Sequence, residues 1–296
     1  MARDVFDTTT KPFCVLSNLA SAVSWDEAKV LRDRGIPVLE GTDSGLRALR
    51  HLLRDAEWRA RPPAAEPAPV DDAVRERWRA RLSDGPPMSE LDGLALLADY
   101  GLPVTAARPV ASSVEATDAA DSIGYPVVLK TAAPGITHKS DVDGVRVGLS
   151  DAGAVRAAYE DIAGRLGPEA VVAAMVPAGV EVALGVVVDP TFGPLVLVGA
   201  GGVLVEVLHD RRLALAPLDA DEARRLIDDL QIRPILDGVR GAPPADVEGL
   251  ADAVSRLSVL AADLGDLLAA LDVNPMIVSP EGCIAVDALV EPRPST

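Results

Sequence analysis

The chain has 296 residues, a net charge of -17, 49% apolar residues and only 3% aromatic ones. Its length allows a substantial core and two or more domains, and the scarcity of aromatics makes that core one of Ala, Val and Leu. An acidic balance of this size argues against general nucleic-acid binding, which calls for a basic surface.

In chain order, residues 12–16 (Pro-Phe-Cys-Val-Leu) read as a short strand. Ser24 caps the next helix, with Glu27 three residues on as its capping-box partner, and Gly35 stops it. Residues 36–39 are a second strand, after which Asp43 or Ser44 opens a helix through Leu46, Leu49, Leu52 and Leu53. Two strands and two helices do not close an independent sheet, so residues 1–60 read as the tail of a larger αβ domain. Residues 61–85 begin as a Pro/Ala-rich, semi-rigid linker that marks a domain boundary, with a short Arg-rich helix predicted at 73–81.

Residues 86–170 form a second αβ region. Ser89 caps a helix ending at Tyr100-Gly101, 103–110 is a strand, and Ser113 caps a helix running to Gly124. Strands at 126–131 and 144–149 flank a loop over 132–143, and Asp151 caps a helix to Leu166. In residues 171–296, β-branched strands are expected at 171–176, 180–188 and 194–198. Asp219 caps a helix through Leu226 and Leu230, and a long amphipathic helix covers 245–264. Closing strands fall at 267–273, 275–278 and 283–288. The fold class is α/β, and no repeat of 20–50 residues is present.

Cys14 and Cys283 lie far apart without a CxxC or Cys/His partner, as expected of buried small side chains in a reducing compartment. The first residues, Met-Ala-Arg-Asp-Val-Phe-Asp, contain no apolar leader segment. The apolar run 196–208 is interrupted by Gly199, Gly201, Gly202 and Glu206, too often for a membrane span. A soluble cytoplasmic protein is expected.

Only four of the 28 basic residues are lysines, and two of them, Lys130 and Lys139, lie nine residues apart in one segment. A compact ammonium suits a phosphate chain at close range better than a planar guanidinium. Lys130 ends an apolar strand, where it either snorkels to solvent or meets an anion. The loop after it offers Gly135, Thr137, His138, Lys139, Ser140 and Gly144. Backbone N–H groups, hydroxyls and a cation of this kind suit phosphate oxygens, although a solvated hairpin loop has the same composition and the loop is not a Walker A sequence. His138 is able to change charge near neutral pH or to accept a phosphoryl group. The Gly199-Ala200-Gly201-Gly202 cluster permits a close approach or a tight turn. Glu206, in the apolar run after it, calls for a cation, a ribose or a structural Arg as partner. Asp272 and Asn274 face one side of a strand by alternation. Were their strand beside that of Asp287, Asn274 and Asp287 would converge, and their oxygens are of the kind Mg²⁺ takes. An Asn-Pro turn and a strand-end Asp give the same pattern.

Five segments in order resemble the ATP-grasp part of NDP-forming acyl-CoA synthetases (acetate–CoA ligase, ADP-forming), in the superfamily of succinyl-CoA synthetase. They are Pro126–Lys130 running into Thr137-His138-Lys139-Ser140-Asp141-Val142-Asp143-Gly144-Val145, then Gly193-Pro194, the Gly-Ala-Gly-Gly-Val-Leu-Val-Glu-Val run from 199, Leu236-Asp237-Gly238-Val239-Arg240-Gly241, and Leu271-Asp272-Val273-Asn274-Pro275. The resemblance implies an ATP-grasp fold of two α+β subdomains, 86–170 and 171–296, preceded by a partial flavodoxin-like αβ segment. It implies the reaction acid + CoA + ATP ⇌ acyl-CoA + ADP + phosphate, with ATP/ADP and Mg²⁺ as cofactors and the phosphoryl group carried on histidine.

By position in that resemblance, Lys130 contacts the nucleotide phosphates, and residues 138–144, with Lys139, Ser140 and Gly144, form the loop over them. His138 relays the phosphoryl group and Asp272 supports the phosphohistidine. Asn274 and Asp287 hold Mg²⁺, while Glu181 faces the nucleotide sugar and Glu206 lies on the nucleotide side. Two departures stand out. Asp143 occupies a position where the family pattern has Gly, and a carboxylate in a phosphate loop repels ATP unless it points away or binds the metal. The CoA-binding half with its own phosphohistidine has no counterpart, since no histidine precedes His51. A separate CoA-binding, alpha-like subunit is therefore the expected partner, bringing CoA and a small carboxylic acid. The alternatives are a truncated, non-catalytic nucleotide- or partner-binding module, and an ATP-grasp carboxylate–amine ligase that needs no histidine relay.

Overall fold

A computed structural model describes residues 2–61, 65–84, 87–136, 139–202 and 204–294. The chain divides into two compact units, residues 1–63 and 64–296.

The first unit contains α1 (Ala2–Thr8), β1 (Val15–Ser17), α2 (Trp25–Arg32), β2 (Val38–Glu40) and α3 (Thr42–Arg59). Its two strands pair in parallel, Val15 opposite Val38. Ser24 accepts from the Glu27 N–H, which makes it the N-cap of α2. The start of α3 differs from expectation. Gly41, at φ 80°, is the N-cap, and Asp43 and Ser44 already lie inside the helix. A glycine tolerates that left-handed turn, so the helix begins before the first side chain able to cap it.

The second unit opens on α4 (Asp72–Asp84) and α5 (Glu90–Asp99). Trp78 and Leu82, one turn apart on α4, are both buried in the main core, and the Trp78 indole N–H donates to Asp99 at 2.8 Å. Ser89 and Asp92 cap α5 reciprocally, in a full capping box.

A four-stranded sheet follows, ordered β3 (Ala107–Val110), β6 (Ala170–Ala174), β4 (Val127–Thr131), β5 (Val145–Leu149). Helices α6 (Ser113–Ile123) and α7 (Ala152–Leu166) cover it, closing a small core around Leu129, Val155, Ile162 and Val172. The cap of α6 is Ser112, not Ser113. Its hydroxyl receives the Glu115 N–H at 3.2 Å, while Glu115 reaches back to the Ala111 N–H at 2.7 Å. Only Ser112 stands three residues before that glutamate, the spacing the exchange requires.

The larger sheet runs β11 (Gly282–Ala285), β10 (Leu268–Ser279), β7 (Val180–Asp189), β8 (Gly193–Ala200), β9 (Arg211–Leu215), with β12 (Leu289–Pro292) also on β10. Short helices α8 (Leu204–Leu208) and α10 (Arg233–Leu236) lie among the connections, and α9 (Ala220–Asp228) and α11 (Val247–Leu264) supply the covering layer. Leu250, Val254, Leu257 and Leu260 of α11 are fully buried, at the helical spacing of one face. The two strands expected at 267–273 and 275–278 are one strand. Pro275 offers no N–H, so the ladder to β7 breaks between Val273 and Met276 and then resumes.

The two sheets meet through backbone. Thr105 N–H donates to the Ala285 carbonyl and Ala285 N–H to that of Pro103, both at 2.9 Å. The chain crosses between them at Met175–Gly179, where a Cβ on Gly179 would lie 2.5 Å from the Val278 carbonyl oxygen. No helix among the described residues is long and apolar enough to cross a membrane.

Leu257→Ala is expected to lower unfolding stability by about 2–5 kcal/mol in urea, because the residue is enclosed on all sides. Leu213→Ala, on the exposed edge strand β9, should stay within about 0.5 kcal/mol of wild type. Equal losses at the two positions would contradict this placement of the core.

Candidate functional site

Lys130 is the fourth residue of β4, and its neighbours Leu129 and Thr131 are buried with it. A lysine in that setting needs an anion. Its Nζ donates to Glu90 Oε1 at 2.8 Å and to the Val286 carbonyl at 2.6 Å, and stands 3.6 Å from Asp287 Oδ2. Lys139, from the loop between β4 and β5, brings its Nζ to 2.9 Å from Glu90 Oε2 and 3.1 Å from Asp287 Oδ2. Two ammoniums and two carboxylates thus share one partly buried cluster. Burial acts to lower the Lys139 pKa, but the charges of Glu90 and Asp287 outweigh it and leave the pKa raised.

The backbone of the loop is fixed where it rejoins the sheet. Gly144 N–H donates to the Lys139 carbonyl at 2.8 Å, and the Gly144 carbonyl accepts from Thr131 N–H at 2.8 Å. Gly144 is buried, and a Cβ there would lie 2.6 Å from Thr131 Cγ2 and 3.0 Å from the Lys139 carbonyl oxygen. Ser140 is exposed, its carbonyl accepting from Asp143 N–H at 3.1 Å.

Asp143 points away from the cluster. Its carboxylate takes Arg146 at 2.8 and 2.9 Å and faces Arg165 at 3.7 Å, while staying largely exposed. The hydrogen bond from Arg146 holds its pKa below the ordinary carboxylate value. Its φ of 52° is left-handed, a conformation that glycine adopts freely and Asp tolerates. The repulsion expected of a carboxylate in a phosphate loop is therefore removed by direction and by pairing.

Asp272 and Asn274 are exposed on one face of β10, alternating with buried Leu271 and Val273. Met276 pairs with Ala285 in the antiparallel β10–β11 ladder, and Val286 N–H donates to the Pro275 carbonyl at 3.2 Å. Continued by two residues, that register sets Asn274 opposite Asp287. Asp287 lies in the stretch joining β11 to β12; β11 ends at Ala285 and is shorter than the strand expected from sequence. Although the residue is exposed at its outer side, partial desolvation of the carboxylate by the surrounding protein, and then the charge of Asp287, raise the pKa of Asp272.

This edge therefore holds excess negative charge beside an amide oxygen, a donor set suited to Mg²⁺. Among the described residues no three His, Cys, Asp or Glu side chains are grouped to cage a metal. Mg²⁺ usually takes one or two protein carboxylates and completes its shell with phosphate and water.

Glu181 is exposed on β7 opposite Ile277, and its carbonyl accepts from Gly201 N–H at 2.9 Å. Any Cβ on Gly202 would collide with its carboxylate, so the glycine pair is a close-approach site for this strand. No contact joins Glu181 to the lysine cluster among the described residues. Glu206 falls on α8, a helix where sequence suggested only an apolar run; its side chain, like Thr137 and His138, lies outside the described residues. Sequence reasoning missed Glu90. The only local signal was its place directly after the Ser89 cap, where a carboxylate is favoured by the helix dipole.

The ATP-grasp domain family matches residues 81–291. The chain belongs to the ATP-grasp family. Its relatives include beta subunits of ADP-forming acetate–CoA ligases and single-chain ADP-forming acyl–CoA ligases. It is 35% identical over 223 residues to the acetate–CoA ligase [ADP-forming] I subunit beta of Pyrococcus furiosus, covering 73% of this chain and 96% of that subunit. It is 33% identical over 285 residues to 4-hydroxybutyrate–CoA ligase [ADP-forming] of Nitrosopumilus maritimus (strain SCM1), covering 89% of this chain but 40% of that protein. The chain thus spans about 40% of the length of such single-chain relatives. Among solved structures, the dinucleotide-forming acetyl-coenzyme A synthetase 1 of Ca. Korarchaeum cryptofilum, in complex with coenzyme A, Ca-AMPCP and HgCl⁺, superposes with a TM-score of 0.69. The two are 34% identical, with 74% of this chain and 100% of that chain covered.

Gly144→Ala is expected to destabilise the chain by about 1–3 kcal/mol and to weaken nucleotide binding, since Thr131 and the Lys139 carbonyl are both held in place. Asp143→Gly, one residue away, should leave both properties nearly unchanged. Urea unfolding and nucleotide titration of the two variants would test the contrast, and parity between them would refute it.

Proposed function

We propose that this chain is the ATP-grasp component of an ADP-forming acid–CoA ligase, acting with a separate CoA-binding, alpha-like subunit. In the direction of acyl-CoA synthesis it binds MgATP and exchanges the γ-phosphoryl group with His138. The bond from the γ-phosphorus to the β–γ bridging oxygen breaks, a phosphorus–nitrogen bond forms on the imidazole, and ADP leaves. The partner subunit holds CoA and the small carboxylic acid, and the phosphoryl group ends as inorganic phosphate.

The observation that carries this reading is the convergence of Lys130 and Lys139, from a strand and a loop, on one anionic cluster beside Asp287. Phosphoryl transfer depends on positioning and charge neutralisation more than on covalent help. Two buried ammoniums meet both needs. Lys130 is fixed by its strand and by the Val286 carbonyl, so its charge has a defined direction. Lys139 arrives from the segment that carries His138, which couples the phosphate contact to the acceptor. Asp287 and Asn274 would hold Mg²⁺, which neutralises phosphate charge when bound. Asp272, beside them, is set to accept the N–H of a phosphohistidine. Glu181, against Gly202, suits the ribose hydroxyls. Because Asp143 is turned outward onto Arg146, its presence gives no support to a non-catalytic reading.

The test is labelling with γ-³²P-ATP and Mg²⁺. Wild type should take up an acid-labile, base-stable label that His138→Ala does not. Adding the CoA-binding subunit, CoA and acetate should then discharge the label and yield acetyl-CoA. ATP binding without any such label would overturn the relay and favour a non-catalytic nucleotide-binding module or a carboxylate–amine ligase.

A further inference from the structure

The two carboxylates of the lysine cluster differ in ways that assign them different tasks. Glu90 is the more enclosed, its side chain 7% exposed against 29% for Asp287. One Glu90 oxygen accepts a hydrogen bond from Lys130 at 2.8 Å and the other is ion-paired with Lys139 at 2.9 Å, while the hydrogen bonds of Lys139 go to Asp287, so the Glu90 carboxylate lies between both ammoniums. Asp287 is more open and lies farther from them, at 3.6 and 3.1 Å. It is also the one beside Asn274 across the β10–β11 register. Glu90 is the first residue of α5, whose start is fixed by the Ser89–Asp92 capping box, so its backbone has little freedom to follow a moving ligand.

We infer that Glu90 is a positioning residue for phosphoryl transfer: it holds both ammoniums in place while Asp287 is the counter-ion they exchange for nucleotide phosphate. This deepens the function proposed above and rests on it. As the triphosphate enters, the lysines release Asp287, which is then free to serve the cation, and Glu90 stays. Without a permanent partner, Lys139 would follow Asp287 or the phosphates and lose its fixed place near the transferring group. A misplaced contact of this kind slows chemistry more than it weakens binding.

Glu90→Gln separates the two effects, because it keeps the shape of the side chain and makes the site one charge more positive. ATP affinity, followed by calorimetry with Mg²⁺, should be equal to wild type or tighter. The rate at which γ-³²P enters the chain should fall by at least about tenfold. Glu90→Asp, which retains the charge, should recover part of that rate.

A Glu90→Gln rate equal to wild type would overturn the inference. So would a parallel loss of ATP binding, labelling and thermal stability in both variants, since that pattern marks a purely structural residue. Failure of the wild-type chain itself to take up label is a different result: it refutes the proposed function, and the inference falls with it.

Discussion

The site depends on how two lysines are paired and aimed inside a sparsely polar region. An isolated ammonium at the position of Lys130 would be costly to bury. Glu90, Asp287 and the Val286 carbonyl remove that cost by surrounding it with oxygen. The members of the cluster come from widely separated parts of the chain: the start of α5, the end of β4, the loop before β5 and the stretch joining β11 to β12. Joining them requires the two sheets to be held together, and the paired hydrogen bonds between Pro103, Thr105 and Ala285 do so beside the cluster. The electrostatic requirement of the site and the seam between the sheets are met by the same stretch of backbone.

A buried arrangement of this kind is weak evidence for stability, because hydrophobic replacements are often as stable. It is better understood as a device for specificity. Its two ammoniums balance its two carboxylates, and Asp272 adds negative charge beside Asp287. On the proposed function, a phosphate chain that brings its own Mg²⁺ would divide the cluster, its anionic part going to the lysines and its cation to Asp287 and Asn274.

Most regular elements were legible because their signals are local. Ser89, Asp151 and Asp219 announced helices by their caps, and the apolar run of β4 announced a strand. The errors were also local in origin. Ser112 and Ser113 are the same residue type, and only the side-chain exchange with Glu115 separates them. Pro275 marked a strand end in sequence, whereas β10 passes through it at the cost of a break in one ladder. Strand β9 went unseen because Arg211-Arg212-Leu213-Ala214-Leu215 lies at an exposed edge and shows no buried run. In the site, Lys130, Lys139, Asp272, Asn274 and Asp287 stood out by composition or strand position. Glu90 did not, since its partner Lys130 is 40 residues away and no spacing rule spans that distance. Long-range charge pairing is a property of the folded chain and leaves no periodic trace in the sequence.

Residues 143 and 144 divide the phosphate loop into two sides. At 144 the backbone leaves no room for a single carbon, whereas at 143 a charged side chain lies in solvent and is tied down outside the cluster. The loop can therefore be reached from its outer surface without disturbing the lysine cluster. A reporter group attached at position 143 would sit beside the lysine-bearing segment while facing away from the cluster, making this departure from the family pattern a place from which to sense a ligand arriving at the site.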